Sequence, residues 1–423
     1  MTRSLDLTRR SALFAASGLT VTFLSRQSFA ASEGGLAKRK LVVVICRGAM
    51  DGLSVSPPIG DADYVGLRGE IAIAGFGQVD GALKLDETFG LHPCLETVHA
   101  LALKEEARIA PAIATPDRAR SHFEAQDVLE SGSSQVYGAS SGWLNRSMEA
   151  LAPARKIEAL SVGAQAPLIL RGRIQAAAWS PGGFHERDAR LPGILADLYA
   201  GDPLLSRALA SGLETQAMAK LATAAAPANA MMAPSPAMTP GQAPQTPAAQ
   251  PPGAAARKTG VTLAKFMIEP HGPQIAAISL DGFDTHAGQG AGQGALAGRL
   301  RDLDALLDGL SSGLGPEWAN TVVLVATEFG RTARINGTKG TDHGTASTAL
   351  VLGGGLKRGG IIGDWPTLQQ ARLFENRDTA PTLDMRGLFK GVLMEQLGVD
   401  RRALDTVVFP DSAGVAPVLG LVA

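Results

Sequence analysis

What this sequence lacks narrows its class before any motif is read. Cysteine occurs twice, at Cys46 and Cys94, too few for a disulfide framework or a four-thiolate zinc site. One bridge at most is available, and two buried thiols are the simpler outcome. Aromatic residues make up 5% of the chain, so the core must be mainly aliphatic, and 50 glycines point to many loops. Positive charge is not in excess: 39 Lys and Arg stand against 40 Asp and Glu, which argues against a nucleic-acid partner. Beyond the first thirty residues, no run of about 20 mostly apolar residues is present, as a membrane helix would need. What is there, 45% apolar and 19% charged residues over 423 positions, is ordinary globular usage with material for a sizeable core.

The N-terminus reads as an address. Arg9 and Arg10 precede an apolar run over 12–24 that is diluted by Ser17, Gly18, Thr20 and Thr22, too short and too polar to span a bilayer. Ser28-Phe29-Ala30 offers the small-x-small pattern of a signal-peptidase site, so residues 1–30 are expected to be removed after Ala30. The arginine pair ahead of a weak apolar run resembles a twin-arginine signal, which exports folded chains. The expected partner is the twin-arginine export machinery, and the expected location is periplasmic or secreted. Removal takes away four arginines and one aspartate, leaving 35 basic and 39 acidic side chains, a mildly acidic mature protein.

Residues 221–256 carry no charge and eight prolines. Proline removes backbone donors and the Ala/Pro/Gln monotony offers no apolar face, so an extended, poorly ordered insert is expected there. Without signal and insert 357 residues remain, a feasible single α/β domain over 31–423. Short Val- and Ile-rich runs at 41–46, 157–162, 274–280, 321–327 and 348–352 show no alternation, the pattern of strands covered on both faces. Another apolar stretch covers 107–115. Helical patterns lie at 93–103, 121–130, 204–222, 293–310 and 382–397. In the fourth, Leu296, Leu300, Leu303, Leu306, Leu307 and Leu310 form one apolar stripe. Strands alternating with helices predict a three-layer α/β/α fold around a mostly parallel sheet. In such sheets ligands collect beyond the carboxyl ends of the strands.

The segments at those ends are rich in metal-ligating side chains. Arg47-Gly48-Ala49-Met50-Asp51-Gly52-Leu53 follows the first run, and Asp281-Gly282-Phe283-Asp284-Thr285-His286 follows 274–280. Glu328-Phe329-Gly330-Arg331-Thr332 follows 321–327, and Thr341-Asp342-His343-Gly344-Thr345 precedes 348–352. Taken singly, an Asp-Gly is most often a turn and a lone loop His is most often solvated. Four such segments at one edge carry the donor set of a divalent ion and point to a metal or oxyanion site. The segment Arg120-Ser121-His122-Phe123-Glu124 opens a helix, with Ser121 placed as N-cap and Glu124 completing a capping box. The same hydroxyl, beside a metal and Arg120, would also suit a nucleophile.

Together these segments resemble a widespread bacterial family of twin-arginine-exported proteins with no assigned function, grouped with the alkaline phosphatase and sulfatase superfamily. The resemblance spans about 41–410. It implies an alkaline phosphatase-like domain with one or two divalent ions, zinc or manganese, at the carboxyl edge of the sheet. It further implies metal ligands at Asp51, Asp284, His286, Glu328, Asp342 and His343, a Ser121 nucleophile, and Arg120 or Arg331 holding charged substrate oxygens. Glu328-Phe329 stands where the superfamily often has Asp-His, which implies a poorer second metal site. The C/S-x-P-x-R run of formylglycine sulfatases is missing around Cys46, Cys94 and Ser121.

Several lookalikes carry no chemistry. Gly290-Ala291-Gly292-Gln293-Gly294-Ala295 matches a dinucleotide fingerprint but starts ten residues after its strand, too late for the tight turn that motif needs. His92 and His99 frame a helix start as surface or packing residues, and His185 and His271 stand alone in loops. Two readings follow. One is an exported metal-dependent hydrolase of a phosphate or related ester, acting on a small molecule or polymer through Ser121. The other is a non-catalytic cell-envelope or carbohydrate-binding protein that keeps the fold.

Overall fold

The computed structural model describes residues 35–181, apart from 37, 156, 164 and 165, and residues 251–423, with isolated positions between 195 and 217. The signal and its cleavage site, insert positions 221–250, His185 and most of the helix expected at 204–222 lie outside the described residues. Nine strands form the main sheet: β1 (Lys40–Cys46), β2 (Ala107–Ala114), β3 (Ala159–Val162), β4 (Ala177–Trp179), β5 (Ile275–Leu280), β6 (Thr321–Ala326), β7 (Ser347–Leu352), β8 (Gly360–Ile361) and β9 (Leu383–Asp384). Their order is β8-β2-β7-β6-β1-β5-β3-β4, with β9 paired to β2. Every pairing in that sheet is parallel except those of β7, which runs against β2 and β6.

The absence of alternation in these strands follows from burial on both faces. In β1, Leu41, Val43 and Ile45 enter one core while Val42, Val44 and Cys46 enter the other. Two apolar layers bury both sides, each large aliphatic side chain contributing about 1.5–3 kcal/mol. Helices α1 (Glu96–Leu103), α4 (Ala254–Ile268) and α5 (Ala295–Leu314) cover one face. Helices α3 (Trp143–Leu151) and α6 (Met385–Val392) cover the other, together with Leu129 of α2 (His122–Ser131). The fold is thus the three-layer α/β/α sandwich expected, with a mixed, mostly parallel sheet. The six-leucine stripe of α5 is fully buried, each member at most 1% exposed.

Two expectations need correcting, and one helix is new. The uncharged insert does not extend to 256, because α4 begins at Ala254 directly after Pro251, Pro252 and Gly253; alanine is the strongest helix former and takes up the helix as soon as the prolines end. The pattern at 382–397 is not one helix: a short strand, β9, leads into α6, whose N-cap Asp384 accepts a hydrogen bond from the Arg386 amide, and a π-turn over Leu393–Leu397 follows. Helix α3 escaped notice because Asn145, Arg146 and Ser147 are buried on it, which blurs the apolar periodicity. Pro111 sits in mid-β2, where the register with β7 shifts and Ala112 takes φ +55°, so the missing donor is absorbed by a bulge. Cys46 is buried and Cys94 half-buried, both as free thiols.

His92 is not a surface residue but fully buried. Its Nε2 faces the Ala291 carbonyl at 3.0 Å and its Nδ1 accepts from the Cys94 amide at 3.1 Å, an arrangement that suits the neutral ring alone. Burial lowers its pKa from 6.5 to about 4. The stability it supports is therefore complete above pH 6.5 and is lost as pH falls toward 4, amounting to on the order of 3 kcal/mol. Urea unfolding at several pH values should show this acid slope, and His92→Gln should flatten it; an unchanged slope would place the acid sensitivity elsewhere.

Candidate metal centre

The reversed direction of β7 is what assembles the site. Residues following the parallel strands β2, β6, β1 and β5 emerge at one rim of the sheet. Residues preceding an antiparallel strand emerge at that same rim, so 340–346 join them. These five strands are consecutive neighbours, and four of their loops deliver His122, Asp284, His286, Glu328, Arg331 and His343 to one place.

Three imidazoles point the same nitrogen inward. His343 Nε2 lies 3.0 Å from His122 Nε2 and 2.9 Å from His286 Nε2. Asp284 closes the group, its Oδ1 3.0 Å from His286 Nε2 and 3.3 Å from His343 Nε2, its Oδ2 3.5 Å from His122 Nε2. His122, Asp284 and His343 each bring one ligand atom within 4.8 Å of the others.

The outward nitrogens all face acceptors. His122 Nδ1 is 2.8 Å from Glu328 Oε1, His343 Nδ1 2.9 Å from the Arg120 carbonyl, and His286 Nδ1 3.3 Å from Asp342 Oδ1. A carboxylate or carbonyl can only accept, so these partners assign the ring proton to Nδ1 in each case and leave a lone pair on each Nε2. A proton shared between His343 and His122 satisfies one contact, and Arg331 Nη1 faces His286 Nε2 as a donor at 3.4 Å. A divalent cation would serve the His122 and His343 nitrogens together with the Asp284 carboxylate, the three groups whose ligand atoms lie within 4.8 Å of one another. The nitrogen and oxygen atoms of His122, His343 and Asp284 are 3.0–3.5 Å apart, and an imidazole-rich set suits zinc better than manganese.

Burial acts to raise the Asp284 carboxyl, but Arg331 and the three imidazoles outweigh it and hold it below the usual range. Glu328, fully buried, is lifted by desolvation and pulled down further by His122, Gly48 and Gln126, so it is ionised. His122 is raised, first through its bond to Glu328, and His343 is lowered by burial. Phe329, which occupies the place expected to weaken a second metal site, packs at 5.0 Å from both the His122 and His343 rings and orients them.

Of the residues expected at the site, Asp284, His286 and His343 meet directly, and Arg331 touches Asp284 at 2.7 Å and His286 at 3.4 Å. Glu328 and Asp342 stand one bond behind, as partners of ring nitrogens. Asp51 does not join the cluster: it is buried, and its Oδ2 is taken by Arg68, by Ser54 Oγ at 2.8 Å and by Gln289 Nε2 at 2.7 Å. The Arg120 guanidinium is held by Asp378 and Glu375, so the backbone carbonyl of Arg120 is its contribution to the group. Ser121 is the N-cap of α2, yet its side chain makes no cap hydrogen bond and the expected capping box does not form. His122 went unrecognised as a ligand because it follows the more reactive-looking serine. The available signal was its position as first helical residue after a strand ending on the same rim.

A family model described as "Protein of unknown function (DUF1501)" matches residues 38–408. The chain belongs to the DUF1501 family. No curated protein matches it. Among solved structures, this DUF1501 chain overlaps the C-terminal periplasmic domain of EcEptC from Escherichia coli in complex with Zn, at 9% identity and TM-score 0.32, covering 74% of this chain and 72% of that one. The lipoteichoic acid synthase LtaP from Listeria monocytogenes overlaps at 9% identity and TM-score 0.35, covering 88% and 74%. Phosphonate monoester hydrolase of Agrobacterium radiobacter overlaps at 11% and 0.37, covering 86% and 74%. These overlaps are loose, and the fold assignment rests on the strand order above.

Removing Glu328 should release His122. Glu328→Ala is expected to weaken zinc binding about 10- to 100-fold, as loss of a ligand's hydrogen-bond partner does, measured by competition with a chelating dye. Gly48→Ala should have a similar effect, since Gly48 adopts φ +109° and an added Cβ would lie 2.6 Å from the Asp284 amide nitrogen. Unaltered affinity in both variants would mean that the cluster is oriented by other contacts.

Proposed function

We propose that this protein is an exported metal-dependent hydrolase of a phosphate or related ester, with one divalent ion held by the Nε2 atoms of His122, His286 and His343 and the carboxylate of Asp284. The observation that carries the reading is the convergence of three unprotonated imidazole nitrogens on a carboxylate, with every outward nitrogen tied to an acceptor. When bound, such an ion supplies a Lewis acid and lowers the pKa of an attacking oxygen. Glu328, Asp342 and the Arg120 carbonyl keep each ring turned inward, and Arg331 keeps Asp284 ionised. The hydroxyl of Ser121, free of a cap bond at the N-terminus of the ten-residue α2, is assigned the attack. The partial positive charge of that helix end favours an alkoxide and a substrate anion beside it.

Openness favours turnover over a structural ion. The ligand count is that of a structural zinc site, but the side chains of Asp284 and His286 remain 43% and 45% exposed, which leaves room for a substrate oxygen to reach the ion as a fifth ligand. The competing reading, a cell-envelope or carbohydrate-binding protein without turnover, draws on Asp51: its pairing with Arg68 leaves one cation-binding group among the described residues, not two. Export in the folded state would let the ion be loaded before the chain leaves the cytoplasm.

Elemental analysis of the purified protein should find about one divalent ion per chain, lost in His343→Ala. A panel of phosphomonoesters and phosphodiesters should then show turnover that Ser121→Ala reduces by at least about 100-fold while metal content stays constant. Metal without turnover on any ester supports the binding-protein reading, and turnover indifferent to Ser121→Ala transfers the attack to water. For location, replacing Arg9 and Arg10 together by lysine should retain the unprocessed chain inside the cell; normal export of that variant rules out the twin-arginine route.

A further inference from the structure

A buried carboxylate outside the cluster holds the Arg120 side chain and, through Thr345, the loop that carries His343. Asp378 is fully buried, yet its Oδ2 receives Arg120 Nε at 3.0 Å, Arg120 Nη2 at 2.8 Å and Thr345 Oγ1 at 2.9 Å. Arg377 Nη1 adds a contact to Oδ1 at 3.2 Å. Arg120 carries the carbonyl that His343 Nδ1 faces, and Thr345 lies two residues beyond His343 on the same loop. Asp378 therefore tethers the acceptor's residue from one side and the imidazole's loop from the other.

The backbone of Arg120 shows why a tether is needed. It adopts φ +58°, a left-handed conformation that costs a non-glycine residue free energy and that aims its carbonyl at His343. Nothing about arginine favours that conformation, so the surroundings must impose it. The guanidinium is fixed by Asp378 and, on its exposed side, by Glu375 at 2.6 Å. The 374–378 turn is itself anchored to the metal-loop segment, the Ala333 amide donating to the Arg377 carbonyl at 3.1 Å.

We infer that Asp378 is a positioning residue for the metal centre: through Arg120 and Thr345 it holds the Arg120 carbonyl on His343 Nδ1, which fixes the His343 tautomer and turns its Nε2 toward the ion. This rests on the metal reading above, and it reassigns Arg120 from substrate contact to support. Ring partners of this kind typically set metal affinity by 10- to 100-fold.

The test uses the full chain and zinc alone, with affinity by competition against a chelating dye and the ligand set by the visible spectrum of the cobalt-loaded protein. Asp378→Asn and Arg120→Ala should each weaken zinc binding about 10-fold or more and alter the cobalt spectrum. Arg120→Gly removes the same charge but accepts a positive φ freely, so it should bind more tightly than Arg120→Ala. Thr345→Val, which deletes one tether, should fall between wild type and Asp378→Asn and serves if the aspartate variant does not fold. Equal affinity for Arg120→Gly and Arg120→Ala, or near wild-type affinity and spectrum in Asp378→Asn and Thr345→Val, overturns the inference and leaves the metal reading standing. Failure of the wild-type chain to bind zinc or cobalt removes the metal reading itself.

Discussion

Imidazole nitrogens that face one another at about three ångströms, as His343 Nε2 faces those of His122 and His286, need a proton or another positive charge between them. That constraint governs the rim of this protein. Each ring is held in place from behind by an acceptor that fixes its proton, so none can relieve the crowding by switching tautomer without losing its partner. The fixed carboxylate of Asp284 adds negative charge to the same spot. Positive charge is favoured at that spot, and the cost of assembling the group is carried by the sheet and the loops beneath it.

The sheet can meet that cost because its central strands are rigid and buried on both faces. The parallel strands β1, β5 and β6 present their following loops together, and β7 completes the rim by running the other way. Behind the ring partners lies a further layer of buried polar groups. Gln289 accepts from Thr285 at 2.9 Å and Thr341 at 2.8 Å while donating to Asp51, so the loops carrying His286 and Asp342 are tied to the loop after β1. Such directional networks specify one arrangement of loops where an apolar filling would tolerate several.

Much of this architecture was legible in the residues. Uninterrupted Val- and Ile-rich runs identify strands that are covered on both faces, and the leucine spacing of 293–310 identifies the helix that covers them. The Asp-, Glu- and His-bearing segments identify the rim, because they flank those runs. The division of labour within the rim was not legible. Whether a carboxylate ligates an ion, orients a histidine or neutralises an arginine depends on what lies opposite it, and Asp51, Glu328 and Asp284 occupy similar positions after their strands yet do three different things. His122 was hidden for a related reason: helix-capping chemistry at Ser121 accounts for the local sequence without it. The left-handed backbone of Arg120 has no sequence signal, since tertiary contacts force it.

The pairing of Asp51 with Arg68 has a consequence for supply. A guanidinium is built into the polypeptide during synthesis, holds its proton across the whole physiological range and does not exchange with the medium. A cation provided in this way needs no transporter, is untouched by chelators and is never the wrong element. By committing the first-strand carboxylate to a covalently attached charge, the chain keeps Asp51 neutralised whatever the supply of ions in its surroundings.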